Sequence, residues 1–290
     1  MPKKTAQAPN ASAPSELPAR GWRVVLSRAL AAMAHNNLSV LAAGIAFYEA
    51  WAFFPALVVV VTLGGMAFGE TQVDRFLSWV GIDLPQSFNV VVIGQLKAIA
   101  RQSRGISTLT LVGGGLLSVW SAMRGVRGLV QALNVVYAEN EGRPFWRRQL
   151  LALCLSVFGG VLLLIAIGLI VSVPPFPAHD GDQSPLSFIA PSRWPILILL
   201  LMVFLSVTYR YAPCRRAARW RWVTWGASTS AVIIVVGSFL FTYYAAHWAH
   251  YNPLLGSLGA VTIFLFWSYL NVLAILLGAE INAELERKLR

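Results

Sequence analysis

The stretch LLALCLSVFGGVLLLIAIGLIVSV, residues 150–173, contains 24 residues and no charged side chain. At 1.5 Å per residue, a helix of this length covers about 36 Å, enough to cross the roughly 30 Å hydrocarbon core of a bilayer. The aromatic and basic residues FWRR at 145–148 precede it, a flank typical of a membrane interface. The sequence therefore predicts a transmembrane helix at 150–173.

Five further apolar stretches are long enough to cross a membrane. The chain is 57% hydrophobic and only 12% charged, about half the charged share of soluble globular proteins, which is roughly 25%. We therefore predict an all-α polytopic membrane helix bundle of about six transmembrane helices within residues 22–285. The five further predicted spans are 38–68, 106–123, 194–211, 222–246 and 257–278.

The distribution of basic residues predicts the orientation. The net charge of +11 comes from short basic clusters between apolar runs, which favours membrane insertion over nucleic-acid binding. With both termini in the cytoplasm, 18 of the 23 Lys and Arg residues lie on the inner side. We expect residues 1–21 to form a disordered cytoplasmic tail and residues 286–290 a basic cytoplasmic C-terminus.

Two connections between spans have features of their own. Residues 69–105 are long enough for a helix that lies on the outer surface or re-enters the bilayer. Residues 123–137 alternate apolar and basic or polar side chains at helical spacing, which predicts an amphipathic helix at the cytoplasmic face. We expect basic residues on this side to bind the anionic headgroups of membrane lipids: Arg124, Arg127, Arg147, Arg148, Arg215, Arg216 and Arg219.

Glu49 is the only acidic residue well inside a predicted span. Charged groups at membrane depth are costly and face the bundle interior, so Glu49 is either a proton- or substrate-binding carboxylate or a hydrogen-bonded group that only joins helices. At the end of the last span, Glu280 opposes the helix dipole, which suggests a basic partner from the second or fourth connection. The candidate cavity or transport residues are Tyr48, Glu49, Pro55, Asn271 and Glu280.

Small residues and helix breakers occur within the spans. Rows of small residues let helices approach closely, and interrupted helices line binding sites in many transporters. The same residues also serve as plain packing devices, and both readings stay open. The candidate packing or hinge residues are Ala42, Ala46, Gly64, Gly65, Gly256, Gly259 and Gly278.

The chain lacks the common signatures of hydrolases and metal sites. There is no GxSxG, HExxH or P-loop motif. Histidines and aspartates that fall on the predicted outer side could bind zinc, but such residues are ordinary in interfacial loops: His179, Asp180, Asp182, His247 and His250. We expect no metal, no cofactor and no enzymatic activity.

Several stretches resemble a known family. They are AGIAFY at 43–48 with FFP at 53–55, LN at 133–134, YRYAP at 209–213, GSLGA at 256–260 with Trp267, and LGAEINA at 277–283. This ordered set resembles the YihY/BrkB (UPF0761-type) family of bacterial inner-membrane proteins, historically labelled ribonuclease BN. The resemblance implies a six-helix inner-membrane protein. Glu49 stands where the family more often has a small or hydroxyl residue, so the resemblance does not extend to this carboxylate.

Three functions follow as hypotheses. The first is a transporter, exporter or lipid-handling protein of the cell envelope, with a small amphiphilic substrate and a cavity near Tyr48 and Glu49. The second is a non-transporting membrane scaffold for envelope integrity. The third, a membrane-associated ribonuclease, finds no supporting residues. The substrate, the coupling ion and the oligomeric state are left open by the sequence.

Overall fold

The computed structural model describes residues 19–68, 108–172, 193–215, 220–247 and 256–288. These residues form seven α-helices, in agreement with the predicted all-α class. The helices are α1 (Ala19–His35), α2 (Leu38–Phe68), α3 (Thr108–Val136), α4 (Phe145–Ser172), α5 (Arg193–Tyr211), α6 (Trp220–His247) and α7 (Gly256–Lys288).

Five of the helices are long and apolar enough to cross a membrane. The candidate segments are Leu38–Val60, Phe145–Leu169, Trp194–Tyr211, Trp225–Tyr244 and Val261–Arg287. They coincide with five of the six predicted spans. The described part of the remaining one, 108–123, lies on α3, which is not among the five. The three consecutive glycines and the two arginines of α3 lower the hydropathy of this helix. A sixth span and the cytoplasmic position of both termini stay predictions.

Helix α1 is an element that the sequence analysis did not predict. Residues 1–18 of the expected tail lie outside the described residues, but α1 begins at Ala19. Val25 and Ala29 on one face of α1 are buried against Ile281 and Leu285 of α7. The spacing of four between Val25 and Ala29 is helical, so this contact is what holds α1 along the end of the bundle.

Helix α3 corrects the expectation of two elements in this region. A span at 106–123 and a separate amphipathic helix at 123–137 were predicted, but one 29-residue helix runs through both. Leu129, Leu133 and Val136 are buried in the main core, so this apolar face packs inside the bundle and does not face headgroups. Gly125 and Gly128 let α3 approach α2 closely. A Cβ at Gly125 would lie 3.6 Å from Tyr48 Cβ, and a Cβ at Gly128 would lie 3.0 Å from Ile45 Cγ1.

The expected interruption of the first span is absent. Helix α2 continues through Pro55 and through Gly64 and Gly65 to Phe68. Proline removes one backbone hydrogen bond, but neighbouring helices can support the chain within a membrane. Gly256 and Gly259 lie in the first turn of α7, so they begin this helix and do not break it.

The core combines small side chains on some helix faces with larger apolar ones. On α2, the alanines 42, 46 and 50 are buried at one-turn spacing, which makes a smooth face for neighbouring helices. Larger apolar residues of α3, α5 and α7 fill the remaining space. The fully buried large side chains in this core are Leu38, Leu133, Val136, Leu205, Tyr209 and Leu276.

Helices α6 and α7 cross at two glycines. A Cβ on Gly278 would clash with Ser230 Oγ and lie 2.7 Å from the carbonyl oxygen of Gly226. A Cβ on Gly226 would overlap the side-chain amide of Asn282. Because neither position has room for a methyl group, both glycines are required for this close approach.

We expect Gly278→Ala to lower the thermal midpoint of the purified protein. The added methyl group must separate α6 from α7, and overpacking of this kind costs about 1–3 kcal/mol. Gly44→Ala is the matched control, since a Cβ at Gly44 meets nothing within 4 Å and helix propensity alone favours alanine. Equal midpoints for the two variants would contradict the described crossing.

Candidate functional site

Polar and charged side chains gather at one end of the bundle. Here α1, α3, α5 and α7 end, while α2, α4 and α6 begin. This is the end that the distribution of Lys and Arg predicts to be cytoplasmic. We call this set the polar end: Asn36, Asn134, Glu141, Arg143, Tyr209, Arg215, Glu280, Asn282, Glu284, Glu286 and Arg287.

Arg143 caps the end of α5. Its Nη1 donates to the carbonyl oxygen of Ala212 at 2.8 Å, and its Nη2 donates to those of Pro213 at 2.8 Å and Tyr211 at 3.2 Å. The last carbonyl groups of a helix have no partner within it, so a guanidinium group with several donors satisfies them together. Arg143 therefore holds the α3–α4 connection against the end of α5.

Asn134 joins α3 to the connection between α5 and α6. Its side-chain oxygen accepts a hydrogen bond from the backbone nitrogen of Cys214 at 2.8 Å. Its amide nitrogen donates to Glu141 at 2.9 Å, and Glu141 also accepts from the backbone nitrogen of Arg143 at 3.1 Å. Both ends of the Asn134 amide are thus used within the protein.

The structure corrects the expected role of Arg215. It was expected to bind lipid headgroups, but its side chain is only 5% exposed and pairs with Glu286 at 2.7 Å. It also donates to the carbonyl oxygen of Tyr209 at 3.1 Å, and its guanidinium lies 4.1 Å from the centre of the Tyr137 ring. Burial raises the pKa of Tyr137 to about 12, so this hydroxyl stays neutral.

The acidic residues of α7 find different partners. Glu284 pairs with Arg287 at 2.7 Å, and Arg287 also caps α3 by donating to the carbonyl oxygen of Val136 at 3.0 Å. Glu280 is fully buried and accepts from Asn36 at 3.3 Å, while its second oxygen has no hydrogen-bond partner among the described residues. A basic partner from the fourth connection exists, but it is Arg215 on Glu286 and not on Glu280.

Tyr209 and Ser230 extend these contacts into the bundle. Tyr209 donates to the carbonyl oxygen of Ile275 at 2.6 Å and lies 2.7 Å from Ser230 Oγ. Ser230 donates to the carbonyl oxygen of Ala274 at 3.0 Å. Helices α5, α6 and α7 are therefore joined by hydroxyl groups beside the glycine crossing.

Glu49 lies deeper, in the middle of α2. It is 11 residues from Leu38, about 16 Å along the helix. Its carboxylate accepts a short hydrogen bond from the hydroxyl group of Ser268 on α7. Within the parts of the chain that the structure describes, no Lys, Arg or His pairs with Glu49. The pair is therefore a carboxyl and a hydroxyl group at mid-span, between two helices.

Aromatic rings close the α2–α7 contact on the side away from the polar end. Phe53, one turn beyond Glu49, stacks on Phe264 with ring centres 4.4 Å apart. Phe264 also contacts Phe54 at 5.8 Å and Trp267 at 6.0 Å. The Glu49–Ser268 pair thus has an apolar contact on one side and the packed core on the other.

The structure does not bring the other candidate cavity residues to Glu49. Tyr48 faces α3, where its ring lies 6.0 Å from the guanidinium of Arg124. Asn271 donates to Trp267 in its own helix at 3.0 Å, and Glu280 is three turns from Ser268 at the polar end. Ser268 was missed because a lone serine in an apolar span carries no signal until its neighbour across the helices is known.

Several expected positions lie partly or wholly outside the described residues. Arg216, Arg219 and the residues of 69–105 are outside, as are the histidines and aspartates of the outer loops, apart from the helical backbone at His247. Among the residues that are described, no group of three His, Cys, Asp or Glu is placed to hold a metal ion. Cys154 and Cys214 are free thiols.

The family model described as "Virulence factor BrkB" matches residues 29–290. The chain belongs to the BrkB family. YfkH of Bacillus subtilis, whose name describes it as a ribonuclease-like protein, is 28% identical over 261 residues, or 85% of this chain and 89% of YfkH. The predicted family is thereby confirmed, and the protein is a multi-pass membrane protein of this family.

Two further relatives are UPF0761 membrane proteins. The protein of Idiomarina loihiensis is 26% identical over 183 residues, 62% of each chain. That of Ralstonia nicotianae is 28% identical over 203 residues, 70% of this chain and 44% of its own length. This chain therefore spans most of YfkH but only part of these two BrkB-family relatives. No solved structure gives a significant match.

Three of the stretches that carry the BrkB resemblance meet at the polar end: 133–134, 209–213 and 277–283. Asn134, Tyr209 and the carbonyl groups of 212–213 take part in its hydrogen bonds, as do Glu280 and Asn282. They come from three parts of the chain that are far apart in sequence.

We expect the Arg215–Glu286 pair to show a large coupling energy. Arg215→Gln leaves Glu286 without its cation, and breaking a buried pair costs roughly 3 kcal/mol. A double-mutant cycle with Glu286→Gln, measured by unfolding in detergent, should give coupling above about 1 kcal/mol. Arg147→Gln is the exposed control, expected within about 0.5 kcal/mol of the wild type. Additive effects of the two substitutions would contradict the pair.

Proposed function

We propose that this BrkB-family protein is a transporter or lipid-handling protein of the cell envelope, in which Glu49 and Ser268 bind the substrate or a proton. The observation that carries this proposal is the carboxylate of Glu49, held at mid-span by a hydroxyl group of α7. Acidic side chains within membrane spans mark substrate paths and proton relays in many transporters.

The chemistry of the pair supports a binding role. A bare carboxylate at membrane depth costs several kcal/mol, and a single serine hydroxyl cannot offset its charge. Glu49 is therefore balanced by a proton or by a cation or cationic part of a substrate. A purely structural contact to Ser268 would be made equally well by the neutral amide of glutamine.

The surroundings of the pair support a gated path. The polar end is tied by Arg143, Arg215 and Arg287, and the opposite side is closed by Phe53 on Phe264. Access to Glu49 requires α2 to move against α7 on one side. Pro55 lies six residues beyond Glu49 in α2, and its missing backbone hydrogen bond is a point where the helix bends at low cost.

A scaffold for envelope integrity is the second candidate. The specific observation in its favour is the polar end, where Asn134, Arg143 and Arg215 bond to other parts of the chain and tie the helix ends together. A protein that only needs to remain rigid requires such contacts and no path. In that case Glu49 is a packing residue.

We propose no enzymatic activity for the chain. The description of YfkH as ribonuclease-like applies to YfkH and is not extended to this chain. Among the described residues of the polar end, the carboxylates bond to Asn36, Asn134 and basic residues. One oxygen of Glu280 is buried without a hydrogen-bond partner among the described residues. These groups lack the free, clustered carboxylates that metal-dependent cleavage of RNA requires.

We expect a ligand of this site to stabilise the wild type but not Glu49→Gln. The purified protein in detergent would be screened by thermal unfolding against envelope lipids, sugars and amino acids. A ligand that binds only the folded state adds about 2.7 kcal/mol at a hundredfold excess over Kd. Ser268→Ala should weaken the shift, because the serine positions the carboxylate.

The control is Asn271→Ala, one turn from Ser268, whose side chain bonds only within α7 among the contacts described. This variant should retain the full shift. If no small molecule stabilises the wild type and only bulk anionic lipid does so, the scaffold becomes the better account.

A further inference from the structure

The outward face of α3 carries two arginines in an otherwise apolar stripe. Leu109, Leu116 and Trp120 are 82%, 67% and 50% exposed. Arg124 and Arg127 continue this stripe at spacings of three and four residues, on the face opposite the buried Leu133 and Val136. The lipid-facing side of the helix thus changes from apolar to cationic at Trp120.

These arginines lie far from the polar end along α3. Arg124 is 12 residues before Val136, about 18 Å from the polar end along α3. The next residue, Gly125, packs on α2, where a Cβ would lie 3.8 Å from the backbone nitrogen of Glu49. Arg124 is therefore level with the mid-span carboxylate. Because α3 continues through both positions as one helix, Arg124 and Arg127 lie along its length and not beside the polar end, and their role as anchors on lipid headgroups stays a prediction.

Neither guanidinium group reaches back toward the polar end. The guanidinium of Arg124 lies 4.1 Å from the centre of the Trp120 ring, one turn farther from the polar end. The Nε atom of Arg127 donates to the carbonyl oxygen of Met123 at 3.2 Å. Within the described part of the chain, no carboxylate pairs with either arginine. Two outward cations at this depth call for an anionic partner.

An apolar groove begins where the arginines end. It is shallow and open, and it runs along α3 away from the polar end. Its lining consists of Leu116, Leu117, Val119, Trp120 and Met123. A single molecule could therefore contact the cations with a charged group and the groove with a hydrocarbon chain.

We propose that Arg124, Arg127 and this groove bind an anionic phospholipid. Its phosphate pairs with the two guanidinium groups, whose forked donors match phosphate oxygens. One acyl chain lies along Leu116 and Trp120, on the part of α3 that runs away from the polar end.

The charge and the position of the site favour a lipid over a protein partner. The groove faces outward among residues exposed to the hydrocarbon region, where phospholipid is the abundant anionic amphiphile. The site lies on the outer side of α3, whereas the hydrogen bond from Ser268 to Glu49 joins α7 to α2. The inference therefore does not depend on the proposed role of Glu49.

The test measures lipid binding to the full chain in detergent by native mass spectrometry. Phosphatidylglycerol and phosphatidylcholine are titrated separately. We expect the wild type to prefer phosphatidylglycerol, and the double variant Arg124→Gln/Arg127→Gln to bind it about tenfold more weakly, since two charge-assisted contacts are lost. Arg124→Lys keeps the charge but loses the forked geometry, so it should be intermediate.

The matched control removes two arginines elsewhere. Arg23→Gln/Arg28→Gln makes the same charge change at two exposed positions of α1. This variant should stay within about twofold of the wild type. Thermal midpoints in phosphatidylcholine alone establish that each variant is folded. Unchanged binding by the double variant at 124 and 127, or an equal loss in the control, would overturn the proposal.

A photoreactive phenylalanine analogue at Leu117 identifies the occupant of the groove. In vesicles that contain phosphatidylglycerol, the proposal predicts crosslinks to this lipid that decrease in Arg124→Gln/Arg127→Gln. Crosslinks between two copies of the chain would instead show that the groove is a protein interface, and this result would contradict lipid binding.

Discussion

The close crossing of α6 and α7 is the contact on which the polar end depends. With hydrogen atoms at Gly226 and Gly278, the two backbones approach closely enough for Asn282 to accept a hydrogen bond from the backbone nitrogen of Gly226 at 2.8 Å. The same approach lets Ser230 donate to the backbone of α7. In a bilayer, helix association gains little from the hydrophobic effect, so such packing and hydrogen bonds are what hold helices together.

From this crossing, the bundle divides into a tied end and a mid-span site. At the polar end, Arg143 and Arg287 cap the ends of α5 and α3, and Arg215 pairs with Glu286. Three turns deeper, Glu49 has a single hydroxyl partner and no described cation. This contrast is the physical reason to propose a binding role for Glu49. The charged groups of the polar end pair with other groups of the protein, whereas the charge of the mid-span carboxylate has to be balanced by a proton or a ligand.

The sequence was informative about single helices and much less so about their contacts. Long uncharged runs such as 150–173 predicted the spans, because a hydrocarbon core requires them. Helix α1 was missed although Val25 and Ala29 show helical spacing, since its burial depends on Ile281 at the far end of the chain. The partner of Arg215 and the partner of Glu49 could not be predicted for the same reason: each lies on another helix, and only tertiary packing brings it close. The position of Arg124 three turns from the polar end was not predicted, because the continuity of α3 is not visible in local composition.

Water access to Ser268 tests the central claim that the Glu49–Ser268 pair lies on a path for substrate or protons. Ser268→Cys would be made in a chain whose Cys154 and Cys214 are serine, and labelled in vesicles with a small water-soluble thiol reagent. The control is Val272→Cys, one turn along α7, where the side chain is buried in the main core. The account predicts that the cysteine at 268 reacts while the one at 272 does not. If neither reacts, the middle of the bundle is dry, and the protein is better described as a scaffold.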